Sequence, residues 1–123
     1  MKFSVDKQEH HSIFKLDEEK LNSLIAPQLK AEMVVLNAEG VRNIIFDLSS
    51  VRFVDSSGLS SILVTDRLCK TAKGTFVLTN ISDNVMKLIK ISQLENILNI
   101  VPTMQEAVDL VILDETGRNM KKA

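Results

Sequence analysis

The chain has 123 residues, 45% of them hydrophobic, which suits one compact domain with its own apolar core and leaves no room for a second. Fifteen basic residues against sixteen acidic ones give a formal charge of -1, so nothing draws the chain electrostatically toward nucleic acid or an anionic membrane, and proteins or small ligands are the expected partners. A single cysteine excludes an internal disulfide, Met1-Lys2-Phe3-Ser4 does not open a signal peptide, and no apolar run approaches the roughly 20 residues of a membrane span; a cytoplasmic protein without membrane insertion is expected.

Phe3 and Val5 alternate with polar residues, and Ile13, Phe14 and Leu16 follow the polar link Gln8-Glu9-His10, a pattern that predicts a hairpin at a sheet edge. Asn22 or Ser23 is placed to cap a helix with Ile25, Leu29, Met33 and Leu36 on one face, Pro27 in its first turn and Gly40 at its end. Ile44, Phe46 and Leu48 point to one side of the next strand and Ile45 to the other, as in an inner strand covered on both faces. A helix starting near Ser57 or Gly58 carries Leu59, Ile62, Leu63, Leu68 and Cys69, the last as a small core residue. Gly74 precedes a short strand, Thr75-Phe76-Val77-Leu78-Thr79, and Ser82 is placed to cap a helix presenting Val85, Leu88 and Ile89. Ile97-Leu98-Asn99-Ile100 is expected to close the sheet. Thr103-Met104-Gln105-Glu106 then forms a capping box for a helix with Met104, Ala107, Val108, Val111 and Ile112 on its apolar face. Residues 113–123 read as a frayed polar tail. The order β-β-α-β-α-β-α-β-α describes an α/β domain with a mixed, mostly parallel sheet, and such sheets place their sites at the carboxyl ends of strands.

That is where Asp55-Ser56-Ser57-Gly58 falls. The residues suffice to terminate a connection and cap a helix, with Gly58 admitting a close backbone approach. They also place hydroxyls at a helix N-terminus, whose free N–H groups and partial positive charge accommodate a phosphate. Residue chemistry leaves both readings open.

The run Ile45-Phe46-Asp47-Leu48 through Val51-Arg52-Phe53-Val54-Asp55-Ser56-Ser57-Gly58-Leu59 resembles the signature of the STAS domain, in particular the bacterial anti-sigma factor antagonists. Asn80-Ile81-Ser82, Val85, Leu88-Ile89 and Ser92-Gln93-Leu94 are similar to the family's later helix, and Ile25-Ala26-Pro27-Gln28-Leu29 to its first helix start, so the resemblance covers 1–112. It implies a STAS domain in which Ser56 is the phosphoacceptor, with Ser57 second to it. It further implies a partner-switching cycle: the unmodified protein binds an anti-sigma factor that is also a serine kinase and releases a sigma factor, phosphorylation ends the binding, and a serine phosphatase resets it. Asn22, Asp55, Ser56, Ser57, Gly58, Leu59 and Ser60 are then the expected partner-binding residues, with Ser61 beside them, although Leu59 is equally placed to be core. Where the family carries Gly-Glu-Leu-Asp, this chain has Glu19-Lys20-Leu21-Asn22, and Asp17 is the nearest displaced carboxylate.

No catalysis, cofactor or metal is expected. A serine nucleophile needs a base, and the only histidines, His10 and His11, fall at the hairpin turn; neither a nucleophile elbow nor a phosphate-binding glycine loop is present. A non-switching STAS module, scaffolding a signalling or lipid-transport complex or sensing a nucleotide, is the alternative.

Overall fold

The structure, a computed structural model, describes residues 1–122. Strands β1 (Phe3–Lys7) and β2 (Ser12–Leu16) form the expected hairpin. They are followed by β3 (Lys20–Leu21), α1 (Ala26–Ala38), β4 (Ile44–Asp47), β5 (Phe53–Val54), α2 (Ser56–Thr71), β6 (Phe76–Thr79), α3 (Asp83–Ile91), β7 (Asn99–Val101) and α4 (Met104–Lys122). The main sheet has the order β1-β2-β4-β6-β7, with β1 antiparallel at the edge and every other pairing parallel.

Alternation on the inner strands distributes two cores. Phe14, Ile44, Phe46, Phe76 and Leu78 face α1 and α2, and are joined there by Leu29, Met33, Leu36, Leu59 and Ile62. Ile45 and Val77 point the other way and meet Ala107 and Val111 of α4. The rings of Phe14, Phe46 and Phe76 run in a row through the first core and exposed Phe3 stacks on Phe14 at the edge, with successive centroids from Phe3 onward 5.0, 5.6 and 6.2 Å apart. Each fully buried Phe or Leu contributes about 1.5–3 kcal/mol, so this layer is the main source of stability.

The β3–β5 ribbon is absent from the expected order, Ile112 is exposed rather than on the apolar face of α4, and four details at the caps and ends of elements also differ from the sequence reading. Asn22 caps a turn ahead of α1 rather than the helix itself: its Oδ1 accepts from the Leu24 and Ile25 N–H groups at 3.0 and 3.3 Å, while the residue at the helix N-cap, Ile25, has no side-chain cap. Helix α2 starts at Ser56, ahead of the expected start at Ser57 or Gly58, and of the residues able to cap it Asp55 is the one that does. The closing strand lies at Asn99–Val101, shifted toward the C-terminus because Leu94 to Leu98 fold into a turn, with Leu98 N–H donating to the Leu94 carbonyl.

The fourth concerns the expected tail. Residues 113–122 continue α4 as helix; Ala123 lies outside the described residues. What holds this polar stretch is a set of bonds to distant strand ends. Glu115 accepts from Arg42 and Arg118 at 2.8 Å each and from Asn43 Nδ2 at 2.6 Å, and Asn43 Oδ1 in turn accepts from Thr75 N–H at 2.8 Å. Thr75 Oγ1 donates to Asp114 at 3.1 Å. Burial pushes the Glu115 carboxyl up, but the hydrogen bonds from Asn43 and Arg118 and the charges of Arg118 and Arg42 outweigh it and hold the group at about 2.

Candidate functional site at the serine turn

The serine turn does not follow the inner strand directly. After β4 the chain turns back through Leu48 to Val51, a bend closed by Ser49 N–H donating to Asp47 Oδ1 at 2.9 Å and Val51 N–H to the Leu48 carbonyl at 3.0 Å. It then runs as β5 beside β3, a separate two-stranded parallel ribbon with Lys20 opposite Phe53 and Leu21 opposite Val54. The N–H groups of Arg52 and Phe53 donate to the Glu19 carbonyl, and that of Asp55 to the Leu21 carbonyl at 3.2 Å. Asp17, the displaced carboxylate, accepts from Ser50 Oγ at 3.0 Å and so bonds to this bend rather than to the serine turn.

Asp55 has the extended backbone of an N-cap (φ -96°, ψ -174°), and its Oδ1 accepts from Gly58 N–H at 2.8 Å while its carbonyl accepts from Leu59 N–H at 2.9 Å. Gly58 is buried against the ribbon: a Cβ there would lie 2.2 Å from the Leu21 carbonyl oxygen and 2.9 Å from Leu21 Cγ and Val54 Cγ1. The close approach expected of this glycine is therefore real, and it seats the first turn of α2 on β3.

Around that seat the candidate residues separate. Asp55, Ser56 and Ser60 are exposed, and Ser57 and Asn22 are half-buried. Leu59, 8% exposed, belongs to the core, so of the two roles open to it packing is the one realised. Ser61 is fully buried, its hydroxyl donating to the Gly58 carbonyl at 2.6 Å, and it contributes nothing to the surface where the sequence had placed it. Gly58 likewise offers no face to a partner. Two residues the sequence did not single out stand at the ribbon's surface instead: Leu24, 77% exposed, and Phe53, 48% exposed. Their only sequence signal is an apolar residue beside other apolar residues, which does not say which of them points outward.

The histidines lie elsewhere. His10 and His11 line a polar cavity of about 330 Å³ with Lys7, Arg42, Asn43 and Glu115, on the side of the sheet where the parallel strands begin. His11 is held below its ordinary pKa by burial, with Asp6 opposing and His10 adding to the effect. Neither is a base for the serines. Among the described residues no group of three or more His, Cys, Asp or Glu is placed to hold a metal ion. No helix there is long and apolar enough to cross a membrane.

Comparison with known proteins places this geometry. The STAS domain family model matches residues 2–107, and the chain belongs to that family. It is 29% identical over 92 residues to the "Putative anti-sigma factor antagonist BtrV" of Bordetella bronchiseptica, covering 75% of this chain and 78% of that one. Among solved structures it is similar to the Bacillus cell fate determinant SpoIIAA in its phosphorylated form (25% identity, TM-score 0.69, covering 89% of this chain and 99% of that one). SpoIIAA in its unphosphorylated form is 23% identical, with the same TM-score and 97% of that chain covered. An anti-sigma factor antagonist from Mycobacterium paratuberculosis shares the fold at 21% identity, with a TM-score of 0.79 over 89% of this chain and 92% of that one.

Proposed function

We propose that the protein is an anti-sigma factor antagonist whose binding is switched by phosphorylation at Ser56. The observation that carries the reading is the position of Ser56: exposed, first residue of α2, on a turn whose backbone is locked by the Asp55 cap and the Gly58 seat. The similarity to BtrV and to SpoIIAA, which is known with and without phosphate, supports it. In this reading the partner is an anti-sigma factor with serine kinase activity. The Ser56 hydroxyl attacks the γ-phosphoryl group of ATP on that kinase; an O–P bond forms, the bond to ADP breaks, and the hydroxyl proton passes to a base of the kinase. A serine phosphatase hydrolyses the product.

Magnitudes favour a switch that spares the fold. A phosphate adds roughly 1.5 to 2 negative charges next to the Asp55 carboxylate, and two unit charges about 4 Å apart in water repel by about 1 kcal/mol. The helix N-terminus returns about 0.3–1 kcal/mol to an anion at that position. With roughly 1.5 to 2 charges the repulsion is about 1.5–2 kcal/mol, and the roughly 1 kcal/mol left after the helix term is small beside the about 5–15 kcal/mol typical of a folded domain, so the free protein stays folded while the contact surface changes. Ser57, half-buried, is less available to a kinase than Ser56.

The test is a pull-down from cell extract with wild type, Ser56→Ala and Ser56→Asp as baits, with captured proteins identified by mass spectrometry, followed by phosphopeptide mapping after incubation with the captured kinase and ATP. Wild type and Ser56→Ala should capture a kinase-type anti-sigma factor that Ser56→Asp does not, and the phosphate should map to Ser56. Equal modification of Ser56→Ala, or undiminished capture by Ser56→Asp, refutes the reading.

A further inference from the structure

We propose that the hairpin turn over Gln8 to His11 is an acid-sensitive catch: protonation of His11 opens the turn and, through Asn43, loosens the end of α4, while the serine turn keeps its structure. The geometry begins with one nitrogen. His11 Nδ1 is shut off from solvent and, among the described residues, has no hydrogen-bond partner. A neutral ring can keep its single proton on Nε2, but an imidazolium carries one on both nitrogens, so the charged form holds a buried N–H with no acceptor. The charged groups around the ring do not answer that need. On β1, Asp6 accepts from Gln8 Nε2 at 2.9 Å, and Lys7 is bridged at 2.8 Å to Glu39 past the end of α1. On the turn itself Glu9 lies 3.9 Å from His10. Arg42, on the link into β4, is bridged to Glu115 of α4, which also holds Arg118. Each carboxylate is engaged already, and the cations Lys7 and Arg42 line the same cavity as His11. Burial outweighs the attraction of Asp6, and His10 adds to it, so the neutral ring is the one the closed turn prefers.

The turn is wired to three distant elements through one side chain. Gln8 N–H donates to the His11 carbonyl and closes the turn at 2.8 Å. Asn43 Nδ2 donates to the His10 carbonyl at 2.8 Å and to Glu115 at 2.6 Å, while its Oδ1 accepts from Thr75 N–H at 2.8 Å and from Arg118 at 3.2 Å. Swinging the His11 ring out to hydrate Nδ1 moves both carbonyls, and Asn43 loses the acceptor that fixes it between the start of β6 and the end of α4. Such an opening is local, because residues 8–10 are exposed and none belongs to either core. The open turn, in which the ring has its ordinary pKa of 6.5, takes up the proton in preference to the closed one. The catch is therefore fully set above about pH 6.5 and weakens as the pH falls below it, a window that lies above the one in which Glu115 titrates.

The experiment is amide hydrogen exchange read by NMR on the full chain at about pH 7.5 and about pH 5.5, with rates corrected for the intrinsic pH dependence of exchange. Protection of the Gln8 and Thr75 N–H groups should fall several-fold, with a ceiling of about tenfold set by the open-state pKa. Gly58 N–H, bonded to Asp55, should keep its protection. His10→Asn should retain the response and His11→Asn abolish it. In wild type the His11 ring, followed by its own proton shifts, should titrate below 6.5, which decides the matter even if His11→Asn does not fold. A midpoint at or above 6.5, unchanged protection at Gln8, or a response that survives in His11→Asn overturns the catch. A fall at Gln8 without one at Thr75 overturns the link through Asn43, and an equal fall at Gly58 shows a general loosening in place of a local one and overturns the proposal as well.

Discussion

Replacing Gly58 by alanine sets two well-defined effects against each other. Alanine is favoured over glycine in a helix by about 1 kcal/mol, and it also lowers the entropy of the unfolded chain, so a glycine in the first turn of α2 is nominally a stabilising target. The new Cβ would stand 2.2 Å from the Leu21 carbonyl oxygen, about 1 Å inside ordinary contact, and 2.9 Å from Leu21 Cγ and Val54 Cγ1. Backbone, not a flexible side-chain tip, has to yield. Pushing β3 away costs about 1–3 kcal/mol as overpacking, and it stretches the bond from Asp55 N–H to the same oxygen, worth about 0.5–1.5 kcal/mol. The sum exceeds the helix gain, and a net loss of about 2 kcal/mol is expected, or roughly 6–10 °C in melting temperature for a domain of this size. Circular dichroism on thermal unfolding, with urea denaturation as a second measure, checks it. A Gly58→Ala protein as stable as wild type or more so would show that the seat on Leu21 is not a tight one and that the serine turn is not fixed by it.

The opposite sign is expected at Gly117, which lies in α4 with nothing within 4 Å of a would-be Cβ: Gly117→Ala should gain about 0.5–1 kcal/mol, and a loss would contradict the helical assignment there. Glu115 makes stability depend on acid. Its folded-state pKa of about 2 lies below the ordinary 4.5, so its contribution is fully present above about pH 4.5 and drains away as the pH falls toward 2; at most about 3 kcal/mol is involved. The stability gap between wild type and Glu115→Gln should therefore narrow across that window in urea titrations, and a gap independent of pH refutes the assignment. Cys69 is buried on α2, and burial, with Asp66 adding to it, pushes its thiol up to about 12; a thiol reagent at pH 8 should leave it unmodified until the protein is unfolded, and prompt stoichiometric labelling of the native protein would contradict the burial.

Much of the architecture is legible in local pattern. Ile44, Ile45 and Phe46 are apolar in succession because β4 is covered on both faces, and Ser82 and Thr103 announce helices by the bonds their hydroxyls accept from Val85 and Glu106 N–H groups. The β3–β5 ribbon is not legible. Lys20–Leu21 and Phe53–Val54 are two residues each, too short to show any period, and they are strands only because backbone bonds join segments more than thirty positions apart. The same limit hid the exposed faces of Leu24 and Phe53 and left the role of Leu59 open. In the C-terminal stretch polarity and Gly117 suggest an end to the helix, whereas its bonds go to Arg42, Asn43 and Thr75, partners that no window around residue 115 contains. The serine turn was located by its capping chemistry and its resemblance, yet its attachment to the body of the protein runs through main-chain atoms that no side-chain pattern encodes.

That attachment also bears on how the turn can evolve or be transplanted. The nearest atom to Gly58 is a carbonyl oxygen, which every residue type carries, so trimming the side chains at positions 21 and 54 would still leave no room for a Cβ at position 58. Co-variation between position 58 and either of them will be silent however strongly they are coupled in space, and the glycine will look constrained without a visible cause. A designer grafting Asp55-Ser56-Ser57-Gly58 onto another scaffold faces the same fact from the other side: the motif travels only with a neighbouring strand whose backbone passes at the right height.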